Sequence, residues 1–308
     1  MPQGIYLPEG HLLETPENRA LQATAEGLEK ARQWGMILEG IATMCDERRD
    51  LHVRLGDLRG RIPREEAGLG ADSGKMREIA ILSRVGKPVC FQVIGRDGEE
   101  WLLSRRIVQE RAQAYLQQEL LPGEVIRATV THLEQFGAFV DIGCGLISMI
   151  GIENISVSRI RHAAERFCPG QQVLAVVLGK EPGGRILLTH RELLGTWQEN
   201  ARRLQPGSAV SGIIRGVEKY GVFVELFPNL SGLAEPCPDA QPGMNASVYI
   251  KSILPDKMKI KLTLLDKMPG GGKRLITPED YVIREGRLER WQFQPDSCYR
   301  HCVETVFA

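Results

Sequence analysis

Four aromatic side chains have the type and spacing to stack flat ligand groups against a protein surface. Phe136 and Phe139 form one pair and Tyr220 and Phe223 form another, with the second ring three residues after the first in each pair. The segments around them, residues 136–143 and 220–227, align position by position. A single exposed ring is ordinary on a folded surface, whereas the same pair at equivalent places in a repeat predicts a stacking platform.

The alternation of residue types predicts that each platform lies on a β-strand. Apolar residues at every second position face a core, and they are Ala138, Val140 and Ile142 in one segment and Val222, Val224 and Leu226 in the other. This parity places Phe139 and Phe223 on the opposite face, beside Asp141 and Glu225, and predicts that this face is polar. The first ring of each pair is left open, since it either joins the platform or caps the end of the fold as core.

The platforms lie within larger repeats that predict small closed barrels. Pro-Gly turns open two units at residues 122 and 206 and recur inside them at residues 169 and 242. A third, more divergent copy begins near Gly35. Each unit has about five short strands separated by glycine or proline turns, which is typical of a small barrel. The predicted fold class is mainly β with helical connectors: three tandem five-stranded barrels and a short C-terminal tail.

The predicted division of the chain has five parts. Residues 1–34 are an N-terminal arm with a short helix, 35–118 a degenerate repeat, 119–204 a repeat with a connector helix, 205–268 a further repeat, and 269–308 a linker and docking tail. Residues 1–18 lack periodicity and are expected to be flexible, whereas 104–120 and 191–204 have the apolar spacing of helices. The tail is expected to pack on a barrel through its apolar residues, which are Tyr281, Val282, Ile283, Leu288, Trp291 and Phe293.

The repeats resemble the S1 RNA-binding domain, a five-stranded OB-fold module, over roughly residues 35–268. The resemblance is most specific at residues 135–140 and 220–225. Residues 62–66, 193–197 and 257–262 also resemble the short, three-repeat form of the ribosomal S1 family in clostridia-like bacteria. The resemblance implies OB-fold barrels that bind single-stranded RNA, most of all mRNA, during translation, with the small ribosomal subunit as a partner.

The resemblance also implies which polar residues complete each RNA face. In the family, a histidine after the third strand is joined by an acidic residue and an arginine near the fourth turn. The middle repeat has Gly151, Glu181 and Arg185 at these positions, so the histidine is lost, while the last repeat has Glu235 for the histidine and Lys259 for the arginine. The predicted RNA-binding residues are Phe136, Phe139, Arg159, Arg161 and Arg185 in the middle repeat and Tyr220, Phe223, Lys251, Lys257 and Lys259 in the last.

Composition limits how the chain can hold a polyanion. The 39 Lys and Arg residues are balanced by 39 Asp and Glu residues among 308, which argues against binding by a bulk positive field. Stacking with a local basic groove remains compatible with this balance. The 7 cysteines are scattered and are expected to be reduced thiols. No signal peptide and no apolar run of membrane-spanning length is apparent, so we expect a cytoplasmic protein that does not contact membranes.

The sequence gives little support to catalysis. The histidines lack the His-Glu-x-x-His spacing and there is no Gly-x-Ser-x-Gly elbow. Residues 270–273 resemble a phosphate-binding loop only in part, because the earlier glycine is missing and Arg274 follows where Ser or Thr is needed. Cys298, His301 and Cys302 could approach a zinc ion, but a structural site takes four ligands. We therefore predict no enzyme activity, cofactor, metal or small-molecule substrate.

The first repeat differs from the other two. Leu51, Val53 and Leu55 take the inward positions, and His52 stands where the others have Phe139 and Phe223. Either this repeat contacts a protein or the ribosome, or serves the fold, or His52 stacks alone on a base with support from Arg48, Arg49 and Arg54. A ribosome- or protein-docking scaffold is therefore an alternative function for the whole chain, and a factor in RNA turnover or regulation is another.

Overall fold

Three closed five-stranded barrels follow one another along the chain in a computed structural model that describes residues 4–298 and 303–307. The fold class predicted from the sequence is confirmed. In each barrel the first three strands form a meander, the fifth strand runs parallel to the third, and the fourth closes the barrel against the first. This order is that of an OB-fold barrel.

The strands have the following bounds. The first barrel contains β1 (Leu38–Cys45), β2 (Leu51–Leu55), β3 (Leu58–Ile62), β4 (Pro88–Asp97) and β5 (Glu100–Ser104). The middle barrel contains β6 (Val125–Glu134), β7 (Gly137–Asp141), β8 (Ile147–Gly151), β9 (Gln172–Lys180) and β10 (Ile186–Thr189). The third barrel contains β11 (Ala209–Glu218), β12 (Gly221–Phe227), β13 (Leu230–Ala234), β14 (Asn245–Leu254) and β15 (Lys259–Met268). The tail adds a small pair, β16 (Arg290–Gln292) and β17 (Glu304–Val306).

Helices lead into the barrels and connect them. They are α1 (Pro16–Gln22), α2 (Ala25–Trp34), α3 (Glu78–Leu82), α4 (Arg106–Glu119) and α5 (Trp197–Ala201). Helix α4 agrees with the helix predicted over residues 104–120. The second connector was expected to be one helix over 191–204, but a 3-10 turn (Arg191–Leu194) comes first and Gly195, with φ 79°, separates it from α5. A residue with positive φ cannot continue a right-handed helix, and glycine adopts such a conformation readily.

The inward positions agree with the predicted strand parity. Ala138, Val140 and Ile142 are buried in the middle core, and their counterparts Val222, Val224 and Leu226 are buried in the third. Leu51, Val53 and Leu55 are likewise buried in the first core. Alternation with period two is therefore enough to orient all three second strands.

The N-terminal arm is packed rather than flexible, so that expectation is wrong. Glu9 is buried between the first and middle barrels, where the guanidinium of Arg105 binds its carboxylate at 2.7 Å and the Cys90 amide donates to it at 3.1 Å. The Glu9 amide donates to Asp141 of β7 at 2.8 Å. Burial alone would raise the pKa of Glu9, but the charge of Arg105 holds it below its ordinary value. The arm thus joins two barrels through charge, which hydrophobic periodicity does not record.

A buried ion pair joins the middle barrel to the third. Arg166, in the loop between β8 and β9, and Glu225 of β12 both have side chains with no solvent exposure, and their Nη2 and Oε2 atoms lie 2.5 Å apart. Arg215 of β11 binds the same carboxylate through Nε at 2.8 Å and also pairs with Glu165. Burial lowers the pKa of Arg166, and the ion pair with Glu225 opposes this effect.

The tail docks on the middle and third barrels, as its apolar residues predicted. Trp291 and Phe293 are buried with the third core, and Tyr281, Ile283 and Leu288 pack against it, while Val282 is exposed. The glycine-rich linker after the third barrel is held by hydrogen bonds, since the Gly272 amide donates to the Gly243 carbonyl and Arg215 donates to the Gly272 carbonyl at 2.7 Å.

The tail closes over a buried histidine of the middle barrel. His190 has no exposed surface. Its Nδ1 lies 2.8 Å from the Ile155 carbonyl, which can only accept, so the ring donates there and its Nε2 accepts from the Tyr281 hydroxyl at 3.2 Å. The Leu174 amide in turn donates to the Tyr281 oxygen at 3.1 Å. This network fixes a neutral imidazole, and burial lowers its pKa to about 4.

The remaining expectations concern termini, thiols and membranes. Among the described residues the six cysteines are free, and no group of three metal-binding side chains occurs there. Cys298 is buried, whereas His301 and Cys302 lie outside the described residues. Within the same ranges, no helix is long and apolar enough to cross a bilayer.

We predict that Glu225→Gln destabilises the pair formed by the middle and third barrels by about 3–5 kcal/mol, because it leaves two buried guanidinium groups without their shared carboxylate. Urea unfolding measured against the wild type tests this. The matched control is Glu218→Gln, an exposed carboxylate on β11 of the same barrel, which should change the free energy of unfolding by less than about 0.5 kcal/mol. Equal effects of the two substitutions would contradict the role given to Glu225.

We predict that His190 makes the protein less stable in mild acid. Its folded pKa of about 4 lies below the ordinary 6.5, so protons bind the unfolded state first and stability is lost as pH falls through this interval. The full loss is on the order of 3 kcal/mol. Asp141 and Glu39, whose pKa values burial raises to about 7, act in the opposite direction.

The measurement is therefore a difference between wild type and His190→Gln. Urea unfolding of both proteins from about pH 7 to about pH 4 should show the advantage of the wild type shrinking as pH falls. A difference independent of pH would mean that the buried imidazole is not the titrating group.

Candidate nucleic-acid interface

The first ring of each pair lies at the tip of a tight hairpin and is exposed. Phe136 is in the turn between β6 and β7 and is 55% exposed, and Tyr220 is in the turn between β11 and β12 and is 65% exposed. The alternative that these rings cap the barrels as core is therefore wrong. The ring centroids of Phe136 and Phe139 are 6.0 Å apart at 88°, and those of Tyr220 and Phe223 are 6.1 Å apart at 90°. Each pair forms an L-shaped corner that offers a face to a flat group.

The glycine after each first ring allows this corner to form. A Cβ on Gly137 would lie 2.4 Å from the Ile150 carbonyl oxygen, and one on Gly221 would lie 2.4 Å from that of Ala234. Any side chain there would push the hairpin away from the third strand of its barrel. Glycine at this position therefore brings the strand, and the second ring on it, close to its neighbour.

A β-bulge adds a third ring to the middle barrel, and strand parity alone missed it. The register of β6 and β7 shifts between Val130 and His132, so that His132 pairs with Phe139. The two rings lie 6.2 Å apart with an interplanar angle of 30°, in a stacked arrangement. An equivalent bulge places Gly216 opposite Phe223 in the third barrel. The extra residue of a bulge changes which side chains share a face, and the only sequence signal for it was a histidine out of phase with its strand.

Strand register extends each ring face across the barrel. Phe139 pairs with Met149, which pairs with Leu187 of β10. In the third barrel Phe223 pairs with Leu233, which pairs with Lys261 of β15. Each face therefore continues from rings to partly exposed apolar side chains, and in the third barrel it ends on a lysine.

The same registers locate the positions that family resemblance had singled out. Two residues beyond Met149 and Leu233 lie Gly151 and Glu235, and two residues before Leu187 and Lys261 lie Arg185 and Lys259. Arg185 and Lys259 are both exposed on the ring side of their barrels. Their assignment as equivalent positions agrees with the structure, and their contact with RNA stays a prediction.

Ion pairing changes what the third face can offer. Lys251 forms an ion pair with Glu235, and both side chains are about half exposed. The hydrogen bond from Lys251 lowers the pKa of Glu235, so the carboxylate is charged at neutral pH and screens the lysine. Lys257 and Lys259 are exposed at and just after a 3-10 turn, Pro255–Lys257. Together with Lys261, which is also exposed, they leave a basic edge open on this barrel.

The loop that carries Arg159 and Arg161 is anchored on the neighbouring barrel. The Val157 amide donates to Asn229 at 2.9 Å, and the Ser158 hydroxyl lies 3.3 Å from that of Ser231. Ser231 pairs with Glu225, two residues from Phe223. Both arginines are exposed, but their loop lies against the third barrel, whereas the sequence had assigned them to the platform of the middle one.

The carboxylates beside the second rings are buried, which corrects the expectation of a polar, solvent-facing strand surface. Asp141 accepts from the amides of Glu9, Gly143 and Gly145 at 2.8, 2.8 and 3.0 Å. Burial raises the pKa of Asp141 to about 7, and the charge of Glu9 adds to the effect. Glu225 occupies the matching position and binds Arg166. The part of each outward face that carries the carboxylate is thus covered by a preceding segment of the chain. The rings lie next to it, at the edge of the part that stays exposed.

The first barrel has no such platform. His52 occupies the register position of Phe139, opposite Met44, but its Nε2 lies 3.0 Å from an Asp46 carboxylate oxygen. The hydrogen bond with His52 lowers the pKa of Asp46. Arg49 is bound by Glu78 at 3.1 Å. These contacts argue against the alternative in which His52 and its arginines stack and hold a base.

The fold and the two aromatic faces together define a class of protein, which is built from tandem OB-type barrels with aromatic outer surfaces. Residues 119–191 match the model of the S1 RNA binding domain. The chain is 34% identical over 156 residues to the small ribosomal subunit protein bS1 homolog of Bacillus subtilis and 33% identical over 185 residues to the small ribosomal subunit protein bS1 of Leuconostoc lactis. These alignments cover 48% and 57% of this chain. Over these residues the chain is similar to proteins of the S1 family.

The relatives are longer proteins than this one. The matched regions amount to 41% and 42% of their lengths, so this chain spans less than half of either. A solved structure of a multidomain protein with nucleic acid binding domains from Streptococcus pneumoniae is 15% identical over 75% of this chain and 74% of its own length, with a TM-score of 0.26.

Proposed function

We propose that this protein is a non-catalytic, single-stranded RNA-binding protein of translation, with mRNA as its ligand and the small ribosomal subunit as its partner. The observation that carries the proposal is the pair of exposed aromatic corners, at matching positions of two barrels that a buried ion pair holds together. The match of residues 119–191 to an S1 RNA binding domain supports it, and so do relatives whose names place them in the small ribosomal subunit. A cytoplasmic site of action follows from this role.

Stacking accounts for binding by a chain without net charge. Every base offers a flat face, so ring platforms bind single strands with little sequence preference. Two platforms fixed relative to one another engage one strand together, and the second contact benefits from the high local concentration that the first creates. Arg185, Lys257 and Lys259 are exposed, and in this proposal they contact phosphates beside the rings.

We predict that the double substitution Phe139→Ala and Phe223→Ala weakens binding of an unstructured RNA of about 15 nucleotides at least tenfold, because each stacked base contributes roughly 1–3 kcal/mol. Fluorescence anisotropy measures the affinity, and urea unfolding confirms that the variant remains folded. Trp34→Ala is the matched control, since Trp34 is 68% exposed on α2, away from both platforms. Unchanged affinity in the double variant would refute the assignment of these faces.

We predict that Glu235→Gln strengthens RNA binding roughly two- to fivefold at low salt, because it removes an anion from the third face and releases Lys251 from its ion pair. The gain should shrink between about 50 and 200 mM salt. Glu285→Gln removes an exposed carboxylate from the tail and controls for the change in net charge. An equal gain from both variants would mean that only the overall charge matters.

A docking role has support from the first barrel alone. Its outer surface carries exposed apolar side chains, among them Met44, which is 51% exposed at the register position of His132, and Ile79, which is 67% exposed on α3. Under this second candidate function the first barrel binds a ribosomal protein. Co-sedimentation with purified small subunits that survives ribonuclease and high salt would favour it, whereas loss on either treatment would favour RNA contact.

A further inference from the structure

We propose that the cleft between the first and middle barrels is a further nucleotide-binding subsite, in which Lys87 and Arg84 contact the phosphate of a nucleotide beyond those stacked on the middle-barrel rings. The inference rests on the proposed function, and it extends the RNA path onto a surface that neither aromatic pair marks. The cleft has a volume of about 570 Å³, which is in the range of sites for small ligands.

The cleft adjoins the ring platform along the strands of the middle barrel. Thr131, the bulge residue next to His132, lines the cleft, and its hydroxyl donates to the Phe139 carbonyl at 3.1 Å. Asp141 and its strand partner Ile147 also line it. Asp141 is two residues from Phe139, a separation of about 7 Å along a strand. An RNA strand with a base stacked on Phe139 therefore reaches the cleft within a very short distance.

The chemistry of the lining suits a nucleotide. Lys87 is exposed at the mouth. Arg84 reaches the same space while it donates to Glu9 at 3.4 Å. Thr129, Thr131 and Gln172 supply hydroxyl and amide groups for a sugar, and Ile147, with 46% exposure, supplies an apolar surface.

The two carboxylates in the cleft are already occupied by the protein. Both oxygens of Glu9 are bound by Arg105, at 2.7 and 3.1 Å. The oxygens of Asp141 accept hydrogen bonds from three backbone amides. The charged groups left to meet a ligand are therefore basic, because these anions face their own partners.

The third barrel has a different residue at the position that borders this cleft. The bulge residue there is Arg215, at the register position of Thr131. Its guanidinium binds Glu225, Glu165 and the Gly272 carbonyl. A large side chain thus fills the equivalent space between the middle and third barrels, and the small Thr131 leaves it open between the first and middle ones.

The test compares Lys87→Ala with Lys75→Ala, an exposed lysine of the same barrel that does not line the cleft. Binding of an RNA of about 15 nucleotides is measured by anisotropy at several salt concentrations. Lys87→Ala should weaken binding roughly three- to tenfold and lower the salt slope by about 0.7, the value for one lost phosphate contact on a single strand. Lys75→Ala should change neither.

The outcomes separate the subsite from the function on which it rests. If Lys87→Ala binds like Lys75→Ala while Phe139→Ala still weakens binding, the subsite is refuted and RNA binding by the rings stands. If the wild type does not bind the RNA, both fail. Photo-crosslinking of 4-thiouridine placed along the RNA gives an independent readout: a crosslink to a peptide containing Lys87 supports the subsite, and crosslinks confined to the ring-bearing peptides overturn it.

Discussion

The arrangement of this protein depends on two buried carboxylates that lie two residues beyond the second ring of each aromatic pair. Asp141 binds the N-terminal arm through the Glu9 amide, and Glu225 binds Arg166 from the middle barrel. Each carboxylate shares the outward face of its strand with Phe139 or Phe223. A buried charge is tolerated only when it is paired and hydrogen-bonded, so each barrel must receive a specific partner from the chain before it. This requirement sets which half of a face becomes an interface and which half keeps its rings exposed.

The first barrel takes part in this arrangement as a partner and not as a further platform. Arg54 holds its carboxylate position, by register with Ile41, and is exposed. The barrel instead supplies the Cys90 amide to Glu9, and the connector that leaves it supplies Arg105. Its lack of rings and its contribution to the junction are therefore consistent with one another. The middle barrel is positioned from one side by the first and from the other by the third.

Features of the fold that depend on neighbouring residues in the sequence could be predicted, whereas contacts between distant residues could not. The inward positions such as Val140 and Val224, and the outward direction of Phe139 and Phe223, follow from a local period of two residues and were predictable. The alternation along a strand predicts on which face of the sheet a side chain lies, but it does not predict which other part of the chain covers that face. The partners of Glu225 are 59 and 10 residues away in sequence, and the Glu9 amide that binds Asp141 is 132 residues away, so these contacts could not be inferred from a pattern of neighbours. The β-bulge beside His132 is a register shift of the same non-local kind.

The positions of the basic residues explain how a chain of zero net charge can still present a binding surface. Arg105, Arg166 and Arg215 are engaged with Glu9 and Glu225 inside the junctions, so they contribute to architecture and not to an external field. The exposed cations that remain near the faces, such as Arg185, Lys257 and Lys259, are few and local. Long-range attraction is then weak, and affinity for a polyanion has to come from short-range stacking at the rings. Because the ion pairs hold the two ring-bearing barrels together, the charges that are lost to the external field still determine the geometry of the proposed stacking.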